Sequence, residues 1–217
     1  MHGSQTITLK DQHLTLLPQR LLYWHERSML LLADPHFGKA AAFRRAGIAI
    51  PAGTSTRDLR VLYETINAVG ATSVLILGDL MHAHGVSSLN LKRQILRKQE
   101  DLSTIQWLLV RGNHDSAKDE IVSWFGFREV VDELTLPPFT FVHKPEVRSH
   151  AYVFSGHFHP AVQLAGPGGQ RERLPCFIVG RKNAILPAYG SFTGNAAVRP
   201  RPDDRVYAIA DEQVILL

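Results

Sequence analysis

The sequence predicts an α/β fold in one domain spanning residues 1–217. Three observations carry that expectation. Short, mainly aliphatic runs such as Met29 to Ala33 and Ser73 to Leu77 have the length of buried strands. Helical periodicities sit between such runs in the first half, and strand-like runs almost alone fill the second half. A chain of 217 residues with 45% hydrophobic and 20% charged side chains can build one good-sized core.

In order, residues 5 to 9, 13 to 17 and 20 to 24 read as short strands, and the run Met29 to Ala33 leads directly into Asp34. Thr54 to Val69 carries Leu59, Leu62, Ile66 and Val69 at helical spacing, with Thr and Ser as capping candidates at its start and Gly70 as its stop. Ser73 to Leu77 is a second buried strand, ending at Gly78-Asp79. A helix from about Ser88 to Leu102 precedes a third strand, Ile105 to Val110, which ends at Gly112-Asn113-His114-Asp115. The helical pattern fades past Phe125. Phe139 to His143, Tyr152 to Ser155, Cys176 to Val179, Val206 to Ala210 and Val214 to Leu217 read as strands, and Gly166 to Gly169 as a tight connection.

Composition narrows the function classes. No apolar run is long enough for a signal peptide or a membrane span, so a cytoplasmic protein with no membrane partner is expected. The single cysteine, Cys176, has no partner for a disulfide or a Cys-rich zinc site, and its apolar surroundings predict a buried, inert thiol. A net charge of +4 with a pI near 9.4 favours polyanionic partners without selecting one. Eleven histidines say more, because imidazole is both a metal ligand and a general acid or base near neutral pH.

The polar clusters Asp34/His36, Asp79, Asn113/His114, His143 and His157/His159 each lie at or just past the C-terminal end of an apolar strand. Open sheets place ligand sites along that edge, so five separate segments can converge there. A divalent-metal site that hydrolyses phosphate esters needs imidazole nitrogens and carboxylate oxygens, and a pair of ions needs a ligand able to bridge them. The inventory is present: Asp34-Pro35-His36, Gly78-Asp79, Gly112-Asn113-His114-Asp115, His143, and Gly156-His157-Phe158-His159. Neutral imidazoles and one amide keep such a site net positive for an anionic substrate. The glycines before Asp79, Asn113 and His157 let the backbone approach closely.

These five blocks, in this order, resemble the calcineurin-like metallophosphoesterase superfamily. The resemblance implies a four-layer αββα fold, with two central mixed β-sheets flanked by helices. It implies further that Asp34, His36 and His159 hold one divalent ion, that Asn113, His143 and His157 hold a second, and that Asp79 bridges them. His114 would stand outside both sets beside the scissile phosphate, stabilising charge or protonating the leaving oxygen. Asp115 would orient His114 or cap the following helix. Mn²⁺ is the expected metal; Fe²⁺ and Zn²⁺ accept the same donors.

A nearer resemblance, through LLADPHFGKAAAFRRAGI at 31 to 48, G-D-L-x-H at 78 to 82 and LPAYGSFTG at 186 to 194, is to the small bacterial ligase-associated DNA damage response endonucleases. It implies Mn-dependent cleavage of DNA, single-stranded or structured, in a repair setting with a DNA ligase and a helicase as functional partners. His82 stands where the purple acid phosphatases carry an iron-binding tyrosine. Lys39, Arg44 and Arg45, on a helix leaving the metal edge, are the candidate phosphate contacts or else solvated helix charges, and His82 either lines the groove or supports it from behind. Lys92, Arg93, Arg97 and Lys98 read as a solvated helix face, and Trp107 and Trp124 as core. A phosphatase, a cyclic-nucleotide phosphodiesterase and a non-catalytic scaffold are the competing readings.

Overall fold

The computed structural model describes residues 2–49, 53–81, 89–115 and 120–217. Among the described residues, sixteen strands form two mixed sheets flanked by helices. The first sheet contains β1 (Gln5–Leu9), β2 (Gln12–Leu17), β3 (Leu21–Trp24), β4 (Met29–Ala33), β5 (Ser73–Leu77), β6 (Gln106–Val110) and β7 (Glu129–Val131), paired in sequence order. β1 to β4 run antiparallel, while β4 to β7 run parallel. β4 and β5 are buried at every residue, as strands covered on both faces must be, and this is why their sequences are apolar rather than alternating.

The second sheet holds β8 (Glu133–Leu136), β9 (Phe139–Val142), β10 (Tyr152–Ser155), β11 (Pro160–Ala165), β12 (Arg171–Val179), β13 (Asn183–Ile185), β14 (Ala196–Ala197), β15 (Arg205–Ala210) and β16 (Gln213–Leu216). β9 and β10 are parallel, so the segments that follow them leave on one edge. Between the sheets lies the main core, where Leu14, Trp24, Leu31, Leu75, Phe141, Phe154 and Phe177 meet. Trp24 and Phe139 pack edge to face with ring centroids 4.9 Å apart, a favourable geometry for aromatic quadrupoles.

The outer face of the first sheet packs against α2 (Thr54–Val69), α3 (Leu89–Asp101) and α4 (Glu120–Phe125), with α1 (Lys39–Arg45) alongside α2. Leu59, Leu62, Tyr63 and Ile66 make the buried stripe of α2, and Gly70 closes it in the left-handed conformation at φ 65°. The expected Thr/Ser cap is not what starts α2. Gly53 is the capping residue, with no side-chain bond, and Ser55 Oγ instead accepts the N–H of Gly38, tying α2 to the entry of α1. A smaller cluster of Val162, Leu174, Cys176, Ile178, Val206 and Ala208 lies on the other side of the second sheet. Within it Cys176 is fully buried, and burial pushes its thiol up to about 12.

β7, β8, β11, β13, β14 and α4 are additions to the sequence expectation, and β12 starts at Arg171 rather than Cys176. The 166 to 169 segment is the connection between the antiparallel pair β11 and β12, as expected. Trp107 and Trp124 are buried in the helix-side core. No helix among the described residues is long and apolar enough to cross a membrane.

Candidate metal centre

Three parallel strands of the first sheet deliver Asp34, Asp79 and Asn113 from their C-terminal ends, and the parallel pair β9 and β10 delivers His143 and His157 from theirs. The seven expected ligands therefore meet where the edges of the two sheets face each other. Asp34, His36 and His159 each present a ligand atom, all within 4.8 Å of one another, and Asp79, His143 and His157 do the same. Asn113 joins the second group, its Oδ1 lying 3.0 Å from His143 Nε2. Asp79 stands between the groups, with Oδ2 3.6 Å from His36 Nε2 and Oδ1 3.6 Å from His143 Nε2.

The backbone at these positions is unusual. Asp34, His36, Asp79, His157 and His159 all have positive φ, between 43° and 68°, in the left-handed region that side chains other than Asn, Asp and His rarely enter. Five non-glycine residues held this way at one site store strain that the surrounding packing must overcome. Gly78, at φ 78°, turns the chain into Asp79, and a Cβ there would run into the His143 ring. At Gly112 a Cβ would run into the carboxylate and backbone nitrogen of Asp79.

Hydrogen bonds fix how the donors face. His143 Nδ1 donates to Leu77 O at 3.1 Å, so a neutral ring turns the Nε2 lone pair toward Asn113 Oδ1 and toward His157 Nδ1, 3.0 Å away. With His157 Nδ1 also unprotonated, these lone pairs converge on one point and make a ready site for a cation. His159 Nδ1 donates to Gly194 O at 3.0 Å, which leaves Nε2 facing Asp34 Oδ1 at 3.6 Å. Asp34 Oδ2 accepts the His157 N–H at 2.7 Å, while its Oδ1 is buried and makes no hydrogen bond. A carboxylate oxygen buried without a donor is expensive unless a cation satisfies it. The donor set of imidazoles, two carboxylates and an amide thus fits a pair of divalent ions.

Burial, then the neighbouring His143, holds His157 below the ordinary imidazole range. At His159 burial opposes protonation, but the Asp34 carboxylate and the Gly194 carbonyl outweigh it and raise the value.

His114 is exposed beside the centre, its ring centroid 5.8 Å from that of His36, and its N–H donates to Asp79 Oδ1 at 3.0 Å. Asp115 reaches beyond its neighbours in sequence, and residues 116 to 119, where the expected helix cap would form, lie outside the described residues. Its two oxygens accept the N–H groups of Leu80 and Gly112, each at 2.9 Å, so it sews the Asp79 loop to the Asn113 loop. Burial, joined by the nearby Asp79, raises its carboxyl above the usual range despite those bonds.

Of the expected phosphate contacts, Lys39 is half-buried close to the centre. Burial lowers its ammonium below the ordinary lysine value, with Asp79 and Asp34 pulling the other way. Arg44 and Arg45 are exposed at the far end of α1. His82 lies outside the described residues. A shallow recess beside His36 is walled by Lys39, Ser55, Asp58, Phe192 and Thr193. A larger groove, about 1140 Å³, lies elsewhere, where β9 and β10 begin at Phe139 and Tyr152, and none of the candidate ligands lines it.

The segment 186 to 194 was legible as a family signature but carried no role. In the structure it wraps the first group of donors: Tyr189 N–H bonds Ala33 O at 2.8 Å, Gly190 N–H bonds Asp34 O at 3.4 Å, and Gly194 O holds His159.

The family model described as calcineurin-like phosphoesterase matches residues 28–157. No curated protein sequence matches the chain. Among solved structures, a Pseudomonas putida nuclease, MPE, is 28% identical with a TM-score of 0.81, the match covering 99% of this chain and 100% of the other. The Escherichia coli phosphoesterase Yfce is 16% identical with a TM-score of 0.44, covering 86% of this chain and 96% of the other. A protein of unknown function from Aquifex aeolicus, AQ665, is 18% identical with a TM-score of 0.43, over 60% and 78%.

Proposed function

Because the chain belongs to the calcineurin-like phosphoesterase family, we propose that its two facing donor groups form a two-metal centre that hydrolyses DNA phosphodiesters as an endonuclease. The observation that carries this is the position of Asp79, with one oxygen toward each group. The likeness to a solved nuclease over nearly the whole chain supports a nucleic-acid phosphodiester over other phosphoesters.

In this reading Asp34, His36 and His159 hold one ion, Asn113, His143 and His157 the other, and Asp79 both. When bound, the ions draw charge from the phosphoryl oxygens and lower the pKa of an attacking water. The chain's own residues do the rest. Lys39, held near the carboxylates, offers its ammonium to a phosphate oxygen. His114, outside both groups and open to solvent, sits where it can stabilise transition-state charge or give a proton to the leaving oxygen. The exposed Arg44 and Arg45 extend positive charge away from the centre for a longer polyanion. Manganese is the proposed metal, and repair of single-stranded or structured DNA alongside a ligase and a helicase is the proposed setting, in line with the flanking segments.

A panel with Mn²⁺ tests this: single-stranded DNA, supercoiled plasmid, a simple phosphodiester, a monoester and 2′,3′-cyclic nucleotides. Nicking of DNA is the expected result. Intact DNA with rapid hydrolysis of a nucleotide would refute the nuclease reading, and bound metal with no turnover on any substrate would make the protein a scaffold.

A further inference from the structure

The segment 186 to 194 is bonded to Asp34 through its backbone and to His159 through Gly194 O, although those two residues come from different sheets. What holds this segment in place is polar and concentrated. Ser191 Oγ donates to Asp58 Oδ1 at 2.8 Å, with Oδ2 at 3.1 Å, and the Ser191 N–H reaches Oδ2 at 3.3 Å. Tyr189 Oη donates to the Asp58 carbonyl at 2.5 Å. From the turn before β3, Arg20 Nη1 donates to Ala188 O and Gly190 O, both at 3.4 Å. Thr193 Oγ1 closes the turn on Gly190 O at 2.6 Å.

Asp58 sits on α2, whose buried face already anchors it through Leu59 and Leu62. A carboxylate half-buried there is not needed to hold the helix. Burial raises the Asp58 carboxyl above the usual range, against the pull of Ser191 and Arg20, and burial also lowers the Arg20 guanidinium with Asp58 opposing. Both charges are kept at a desolvation cost, and both spend their bonds on this one segment.

We propose that Asp58, with Ser191 and Arg20, is a positioning device for the Asp34/His36/His159 half of the centre. It clamps residues 188 to 194 so that Gly194 O fixes the His159 ring with Nε2 toward Asp34. The clamp bonds Asp34 and, through Gly194 O, His159 directly and none of Asn113, His143 or His157, so its direct effect is on one ion. This inference rests on the two-metal reading above.

Calorimetric titration of the metal-free protein with Mn²⁺ tests it. Asp58→Ala is expected to weaken one of two ions about 10- to 100-fold, the usual consequence of removing a group that orients a ligand, and to leave the other unchanged. In a His36→Ala background, which disables the same half, Asp58→Ala is expected to have no further effect on the remaining ion. Ser191→Ala, a milder change on an exposed residue, is expected to reproduce the loss at one ion in smaller degree, and it decides the matter if Asp58→Ala does not fold. Two ions bound by the variants with wild-type affinity would overturn the clamp, as would equal weakening of both. A wild-type protein that binds fewer than two ions would instead overturn the two-metal reading beneath it.

Discussion

Replacing Gly112 by alanine probes the bridging role of Asp79 without replacing a ligand. The backbone at Gly112 is outside the left-handed region, so alanine brings no conformational penalty of its own there. The whole effect is steric, and the atoms in the way are Asp79 Oδ1 and the Asp79 backbone nitrogen. A flexible side-chain tip could swing aside, but a backbone nitrogen cannot. Crowding of this kind costs about 1–3 kcal/mol, or a fall in melting temperature of roughly 2–12 °C for a chain of this size. Asp79 Oδ1 also accepts the His114 N–H, and the two oxygens lie 3.6 Å from His36 and His143, so its displacement reaches both groups and His114 together. A shift near 1 Å in such a constellation costs on the order of 10²-fold in turnover. The assay is Mn²⁺ titration beside hydrolysis of a simple phosphodiester, with Gly166→Ala, where a Cβ makes only ordinary contacts with Gln170 far from the centre, as the control. Wild-type affinity for both ions and wild-type turnover in Gly112→Ala would refute the bridge.

Four other outcomes follow from the geometry. His114→Ala is expected to keep two ions and lose about 10²–10⁴-fold in turnover, whereas Asp79→Ala loses metal; equal metal loss in both would overturn the role given to His114. Lys39→Ala is expected to weaken DNA binding across sequences and to reduce the slope of log K against log salt by about 1, and an unchanged slope removes Lys39 from the phosphate path. Chelation of a protein held at 100 times the metal Kd should remove about 2.7 kcal/mol of stability, visible as a drop of roughly 5–10 °C in melting temperature; identical melts with and without chelator would count against tight metal binding. Cys176, buried with its thiol pushed up to about 12, should resist alkylation at pH 8 until denaturant is added, and rapid labelling of the folded protein would contradict its place in the core.

The centre of the fold was open to reading because β4 and β5 are apolar at nearly every position, a pattern only a doubly covered strand tolerates, and the metal edge follows from where they stop. The edges were harder. β7 is three residues long, β11 begins at Pro160, and β12 passes through Pro175 with an exposed, charged first third, so local composition argued against each. The bond of Asp115 to Leu80 was not legible, because that partner is 35 residues away, just past the end of a neighbouring strand. The signature at 186 to 194 was visible but mute: it meets the donors through the N–H groups of Tyr189 and Gly190 and the carbonyl of Gly194, and backbone groups leave no mark in the sequence.

The left-handed backbone at Asp34, His36, Asp79, His157 and His159 shapes what mutation can do to this protein over time. Each position is filtered twice, once by the metal and once by the chain, and the second filter persists when the first is relaxed. A lineage that gave up catalysis could place Asn or Gly at these sites and still fold, whereas Val, Ile or Thr would strain the loop even with no ion to bind. Loss of function on this scaffold should therefore leave a legible scar, with Asn and Gly standing where ligands stood and β-branched residues scarce.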